Sequence, residues 1–308
     1  MATSVPPRPG GGNKPPPRPG KQPNKGKQAN FRASKRRQQR YLAMAAVVVV
    51  VAVVAVIVGV KAGGGGSNSG LDKRSAISTA ALDQVMGVTP AEMATAAEHR
   101  KLGAYPFAVT SSALTSAGKP EVLYIGAEYC PYCAGERWAL AMALNQFGTF
   151  TGLRSVTSTP NDSVASVPTF TFYQSTYSSP YIVFKPVEQQ TVSGKTLETP
   201  TKAETAILTK FDGPPYTQSG GIPFLDIGGK WIQDGINFVN STMSHQSFDA
   251  IASQLPNGGT TPIGADIDAT AGVLVSDICA LTGGQSLHDN AACKAFPSVI
   301  TKAPASAS

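Results

Sequence analysis

An apolar run, Val122-Leu123-Tyr124-Ile125, leads within five residues into Cys130-Pro131-Tyr132-Cys133, and a run with helical spacing follows. This order constrains the chain more than any other feature. A buried strand must deliver the first cysteine to the start of a helix. The thiolate is the reactive form of cysteine, and the unpaired N–H groups and dipole of a helix N-terminus stabilise it. Cys130 is therefore expected to be the exposed nucleophile. Cys133, one turn on, can reach back to resolve a mixed disulfide. Pro131 suits the first helical turn because it has no N–H to lose. Nearby, Arg137 would lower the Cys130 pKa, whereas Glu128 and Glu136 would raise it.

A strand feeding a C-x-x-C at a helix start is how thioredoxin-like proteins build a reversible dithiol. Two other chemistries compete: a closed structural disulfide, and half of a zinc site completed by Cys279, His288 and Cys293. Structural zinc sites usually bring a second tight cysteine pair, and thirteen residues separate Cys279 from Cys293. Redox chemistry at Cys130 and Cys133 is the expectation, with no metal and no cofactor. Gly220-Gly221-Ile222-Pro223-Phe224 is the second feature. A cis bond before Pro223 would free the Ile222 backbone to pair with an extended substrate strand; an ordinary trans proline at a strand start is the alternative. Tyr129, Tyr132 and Trp138 are expected to add apolar contact area for substrate. Cys279 and Cys293 are expected to form a structural disulfide worth about 3 kcal/mol, the alternative being a second redox pair that relays electrons. His99, His245 and His288 show no ligand spacing.

The charge is unevenly spread. Residues 1–40 hold eleven Lys/Arg and no Asp/Glu, and the remainder holds fifteen Lys/Arg against nineteen Asp/Glu. A basic tail on a mildly acidic body argues against a nucleic-acid-binding domain and for a topological signal. Residues 1–40 read as a disordered cytoplasmic tail, because Pro, Gly, Asn and Lys cannot bury enough apolar surface to offset ordering entropy. Peptide recognition by its Pro-rich part is the sharper alternative. Residues 41–60 are uncharged and nearly all apolar. At about 1.5 Å per residue they span roughly 30 Å, the hydrocarbon core of a bilayer. Arg32, Lys35, Arg36, Arg37 and Arg40 precede them, which places the N-terminus in the cytoplasm and the rest outside. A cleaved signal peptide is the competing reading, but its apolar core would be shorter, about 7–15 residues.

Residues 61–70 read as a Gly-rich linker and 71–120 as a helical extension, with a capping box at Thr89-Pro90-Ala91-Glu92. The main domain is expected over 121–298, with an insert at about 160–215, and 299–308 form a small-residue tail. Within it, Val122–Gly126 reads as a strand, Pro131–Phe147 and Lys202–Phe211 as helices, and Ile222–Gln233 as a hairpin turning at Gly228-Gly229. Ala265–Leu281 reads as a last helix running into Cys279.

Ile125-Gly126-Ala127-Glu128-Tyr129-Cys130-Pro131-Tyr132-Cys133-Ala134 and Glu136-Arg137-Trp138-Ala139 resemble the signature of an uncharacterised family of membrane-anchored thioredoxin-like proteins, catalogued as a domain of unknown function. Phe147-Gly148, Pro168-Thr169-Phe170, Ile222-Pro223-Phe224 and Ile278-Cys279 with Cys293 fit the same pattern, over roughly Pro106 to Cys293. The resemblance implies a thioredoxin-like fold in an extracytoplasmic setting. Cys-Pro-Tyr-Cys is also similar to the glutaredoxin site. One departure concerns mechanism: the buried acid that thioredoxins carry six residues before the first cysteine is Tyr124 here.

The expected fold is thus α/β: a thioredoxin-like domain with an inserted β-rich and helical subdomain, preceded by one transmembrane helix. The expected function is that of a single-pass membrane protein exchanging disulfides with extracytoplasmic protein thiols, the alternative being a non-enzymatic binding module with structural disulfides.

Overall fold

The computed structural model describes residues 70–102, 106–217, 220–282 and 291–294. The expected tail (1–40), span (41–60), most of the linker and the terminal tail (299–308) lie outside these residues. Among the described residues, no helix is long and apolar enough to cross a membrane.

The architecture is mixed α/β around one central mixed sheet. In chain order the helices are α1 (Thr79–Met86), α2 (Pro90–His99), α3 (Pro131–Asn145), α4 (Lys202–Phe211), α5 (Phe248–Ala252), α6 (Pro262–Leu281) and α7 (Ala291–Lys294). The strands are β1 (Phe107–Ala108), β2 (Thr115–Ser116), β3 (Lys119–Gly126), β4 (Thr149–Thr151), β5 (Arg154–Thr157), β6 (Pro168–Thr171), β7 (Thr176–Ser178), β8 (Val183–Glu188), β9 (Phe224–Ile227) and β10 (Trp231–Asp234). Strand β3 is central. It runs parallel to β8 from Glu121↔Val183 to Gly126↔Glu188, and antiparallel to β9 from Val122↔Ile227 to Ile125↔Phe224. Beyond β9 come β10 and the short β1, both by antiparallel pairing, and β2 pairs with the first residues of β3. Two small antiparallel pairs, β4–β7 and β5–β6, lie outside this sheet.

Local chemistry explains several elements. Helix α2 starts in the expected capping box, with Thr89 and Glu92 bonding each other's backbone N–H groups. Helix α4 starts in a second one, Thr201 with Glu204. The β9–β10 turn places both Gly228 and Gly229 at positive φ, as the primed hairpin turns require, and the Asp226 carboxylate accepts the Gly229 N–H at 2.6 Å.

The expected insert at about 160–215 is not set apart from the sheet. It supplies β8, the parallel neighbour of β3, and β6, which packs on α3. The Thr169 hydroxyl donates to the Ala134 carbonyl at 2.7 Å, and the Trp138 indole N–H donates to the Pro168 carbonyl at 3.0 Å. The extension before the sheet is also docked. Asp72 accepts from the Ser193 N–H (2.8 Å), the Ser193 hydroxyl (2.7 Å) and Lys195 (3.1 Å), and its carboxyl is held at about 2 by these bonds against the cost of burial.

Helix α3 is buried on nearly every side; only Tyr132 and Asn145 escape. It presents an all-round buried surface, because β6 covers one side and α6 and α1 pack from others. Trp138 lies against Phe170 and Phe248 at centroid distances of 5.1 and 4.4 Å. Within this core Arg137 is fully buried. Its Nε and Nη2 donate to the two carboxylate oxygens of Glu188 at 2.8 and 2.7 Å, and Nη2 also donates to the Ala127 carbonyl at 2.7 Å. That pair ties α3 to the end of β8. Breaking a buried pair strands a charge and costs about 3–5 kcal/mol, whereas an exposed pair is worth roughly 1 or less. Glu188→Gln is therefore expected to lower the unfolding free energy by about 3–5 kcal/mol, while Asp266→Asn, which breaks the partly exposed pair with Arg100, costs under about 1 kcal/mol. Urea unfolding of both variants checks the contrast, and equal losses would refute it.

Helix α6 carries a buried acid that is not paired in this way. Asp268 is fully buried, neither carboxylate oxygen has a partner among the described residues, and burial, helped by the charge of Glu92, raises its pKa to about 8. The folded state thus holds a proton that the unfolded chain, titrating near about 4, releases earlier. Stability from this group is complete below about pH 4 and declines as pH rises through 8. Asp268→Asn is expected to match the parent at pH 4 and to exceed it at pH 8 by on the order of 3–5 kcal/mol, measured by urea unfolding at each pH. An unchanged difference at the two pH values would contradict this assignment.

Candidate functional site

The C-terminal end of β3 runs into Ala127-Glu128-Tyr129, and α3 begins at Pro131 with Cys130 as its N-cap. The cap is made by sulfur: the Cys133 N–H points at Cys130 Sγ, 3.2 Å away. Cys130 Sγ also lies 3.5 Å from the Ile222 carbonyl, which the thiol can donate to. The Ile222–Pro223 bond is cis, as expected, and it sits at the entry of β9, next to β3. The sheet therefore brings together two segments about ninety residues apart, because β9 pairs with β3 right up to Ile125↔Phe224. Both cysteines are free thiols. Cys130 is 4% exposed and Cys133 is fully buried.

The two thiols differ sharply in charge preference. The Cys133 side chain, by hydrogen bonding, lowers the Cys130 pKa most; the backbone N–H groups of Cys133 and Tyr132 and the Arg137 cation add to this, against burial. Burial pushes Cys133 well above its ordinary value, and the neighbouring Cys130 adds to it, with Arg137 pulling the other way. A low-pKa thiol at a helix start beside a high-pKa thiol one turn in is the division of labour that attack and resolution require.

The acids expected to oppose this do not face the thiols as free charges. Glu128 is fully buried, but its two oxygens accept from Arg74 Nε and Nη2 at 2.6 and 2.8 Å, and the Thr171 hydroxyl adds a third bond at 2.6 Å. Glu136 is fully buried without a hydrogen-bond partner among the described residues, and burial raises its pKa to about 8 despite the Gln233 side chain, so it is mostly neutral at pH 7.

The other expected site residues divide. Tyr132, 42% exposed, stands beside the dithiol, and Tyr129 is half-buried there. Trp138 does not reach the surface; it is fully buried, and its role is packing, not substrate contact. Three residues had no role at the level of sequence. Asn240 donates to the Pro131 carbonyl at 2.7 Å and pins the loop after β10 to the helix start, leaving Val239 78% exposed. Glu188, the partner of Arg137, lies 51 residues away and carries no local signal. Tyr124 lies under the site, fully buried, with the Arg137 guanidinium 5.9 Å from its ring centroid.

Cys279 and Cys293 form the expected disulfide, with Cα atoms 5.6 Å apart. Bonded to each other, they are unavailable as the zinc ligands considered above; His288 lies outside the described residues. The disulfide sits by the opposite end of β9 from the dithiol: Leu281, two residues past Cys279, covers Gly228, whereas Cys130 meets Ile222. Ile222 and Gly228 are six residue steps apart, about 20 Å along an extended chain.

No curated protein and no solved structure matches the chain. Residues 105–280, more than half of the sequence, match the family model described as Domain of unknown function (DUF929), and the chain belongs to that family.

Proposed function

We propose that this protein is a membrane-anchored, extracytoplasmic thiol–disulfide oxidoreductase, and that its sheet and redox helix form a thioredoxin-like domain. The observation that carries the reading is the asymmetry of the dithiol: a capped, low-pKa Cys130 at a helix start, facing the Ile222 carbonyl, with a fully buried Cys133 behind it. The Cys130 thiolate attacks one sulfur of a partner disulfide, and the other partner sulfur leaves as a thiolate. Cys133 then loses its proton and attacks Cys130 Sγ. The Cys130–Cys133 bond forms, the mixed disulfide breaks, and the second partner sulfur departs. Two electrons pass from the dithiol to the partner disulfide, and the reverse sequence oxidises a partner dithiol. The partners are extracytoplasmic protein thiols and disulfides. The basic tail and the apolar run at 41–60 support the anchored topology.

The 4% exposure of Cys130 favours a second reading, a binding module in which a Cys130–Cys133 disulfide only stabilises the fold. The two separate in one experiment with full-length protein. On the first reading Cys130→Ala abolishes exchange with a peptide disulfide, and Cys133→Ala accumulates mixed disulfides with partners in cells. On the second, Cys133→Ala traps nothing and the parent is inert.

A further inference from the structure

Two buried donors beneath the dithiol have no acceptor among the described residues: the Tyr124 hydroxyl and Arg137 Nη1. Both side chains are fully buried. An orphaned buried donor is costly, so two at one place call for an explanation. Their placement supplies it. Arg137 is four residues after Cys133 on α3, on the same helix face one turn on. Glu188 and the Ala127 carbonyl hold Nε and Nη2, which fixes the guanidinium and leaves Nη1 unused. Tyr124 approaches from β3. Its ring lies toward Gly126, two residues closer to Cys130 on the same face of the strand, where any Cβ would collide with the phenol oxygen. Gly126 thus gives the hydroxyl its room at the dithiol end of the strand.

We propose that Tyr124 and Arg137 are positioning residues that act on Cys133, their free O–H and N–H groups stabilising the thiolate that Cys133 becomes when it resolves a mixed disulfide. The inference rests on the exchange reading above, because Cys133 carries charge only as the resolving thiol. In the resting dithiol Cys133 is neutral and the donors wait unpaired. During resolution its proton passes to the first thiolate released, the negative charge on Sγ meets two donors, and as the Cys130–Cys133 bond forms the charge leaves on the second partner sulfur. Tyr124 acts as a donor and not as a base: burial, partly offset by Arg137, pushes its pKa well above the ordinary value, so it remains a phenol. Cys133 interacts electrostatically with Cys130 and Arg137 on its own segment, with Tyr124 from β3 and with the half-buried Tyr129; Glu188 of β8 pairs with Arg137.

The test follows full-length protein reacting with Ellman's reagent, which needs thiols but no physiological partner. Thionitrobenzoate is released in two phases, first by Cys130 attack and then by Cys133 resolution. Removing one donor to a charged sulfur raises the Cys133 pKa further. Because a more basic thiolate is also a better nucleophile, the second phase slows by only about three- to tenfold below that pKa. Tyr124→Phe, which keeps the ring, is expected to slow the second phase to this extent, to move its pH profile upward, and to leave the first phase within about twofold. Arg137→Lys is expected to act in the same direction; should it not fold, Tyr124→Phe decides alone. A merely structural role would loosen the site and change both phases together. An unchanged second phase, or equal changes in both, overturns the proposal. If the parent resolves Ellman's reagent normally but exchanges no peptide disulfide, the oxidoreductase reading falls while the donor pair is still judged by its own phase.

Discussion

The buried ion pair between Arg137 and Glu188 is the contact on which the rest of this arrangement depends. A guanidinium with no access to water is tolerable only if its hydrogen bonds are made inside the protein, and here two go to one carboxylate and a further one to the Ala127 carbonyl. Each partner belongs to a different element. Arg137 belongs to the helix that carries the cysteines, Glu188 ends the strand parallel to β3, and Ala127 begins the turn between β3 and that helix. The pair therefore sets the height and rotation of the helix start against the sheet, and with them the position of Cys130 beside Ile222.

The same cation acts on both thiols, and the difference between them comes from elsewhere. Arg137 favours the thiolate at both cysteines, yet only Cys130 has backbone N–H groups at a helix start to add to it, while burial dominates at Cys133. The nearby acids leave that balance undisturbed because each is neutralised differently. Glu128 is saturated by Arg74 and Thr171, and Glu136 is kept largely protonated by burial alone. A segment before the sheet thus contributes to the site: without Arg74, the Glu128 charge would be buried and uncompensated close to the first cysteine.

Much of the framework was legible because it is written in local chemistry. The Thr89–Glu92 capping box, the Gly228-Gly229 turn and the strand–cysteine–helix order each depend on residues a few positions apart, so composition and spacing suffice to read them. The proline at the entry of β9 was legible for the same reason. The central position of β8 was not. Parallel pairing joins residues about sixty apart, with no turn to announce it, and the stretch looked like an insert between the helix and the hairpin. Trp138 misled for a related reason: an aromatic about two turns past Cys130 can face either way, and the packing of Phe170 and Phe248 decides that it faces inward.

The sequence by itself determined that a dithiol would cap a helix, that it would follow a buried strand, and that a basic stretch and an apolar run would precede the domain. These follow from short-range hydrogen bonding and from the hydrophobicity of contiguous residues. Only the tertiary structure decided which charges matter to the thiols. Arg74 meets Glu128 across 54 residues and Arg137 meets Glu188 across 51. An ion pair acts through distance and desolvation, both of which are created by packing, so the same four side chains in the linear chain say nothing about whether they oppose or support the Cys130 thiolate.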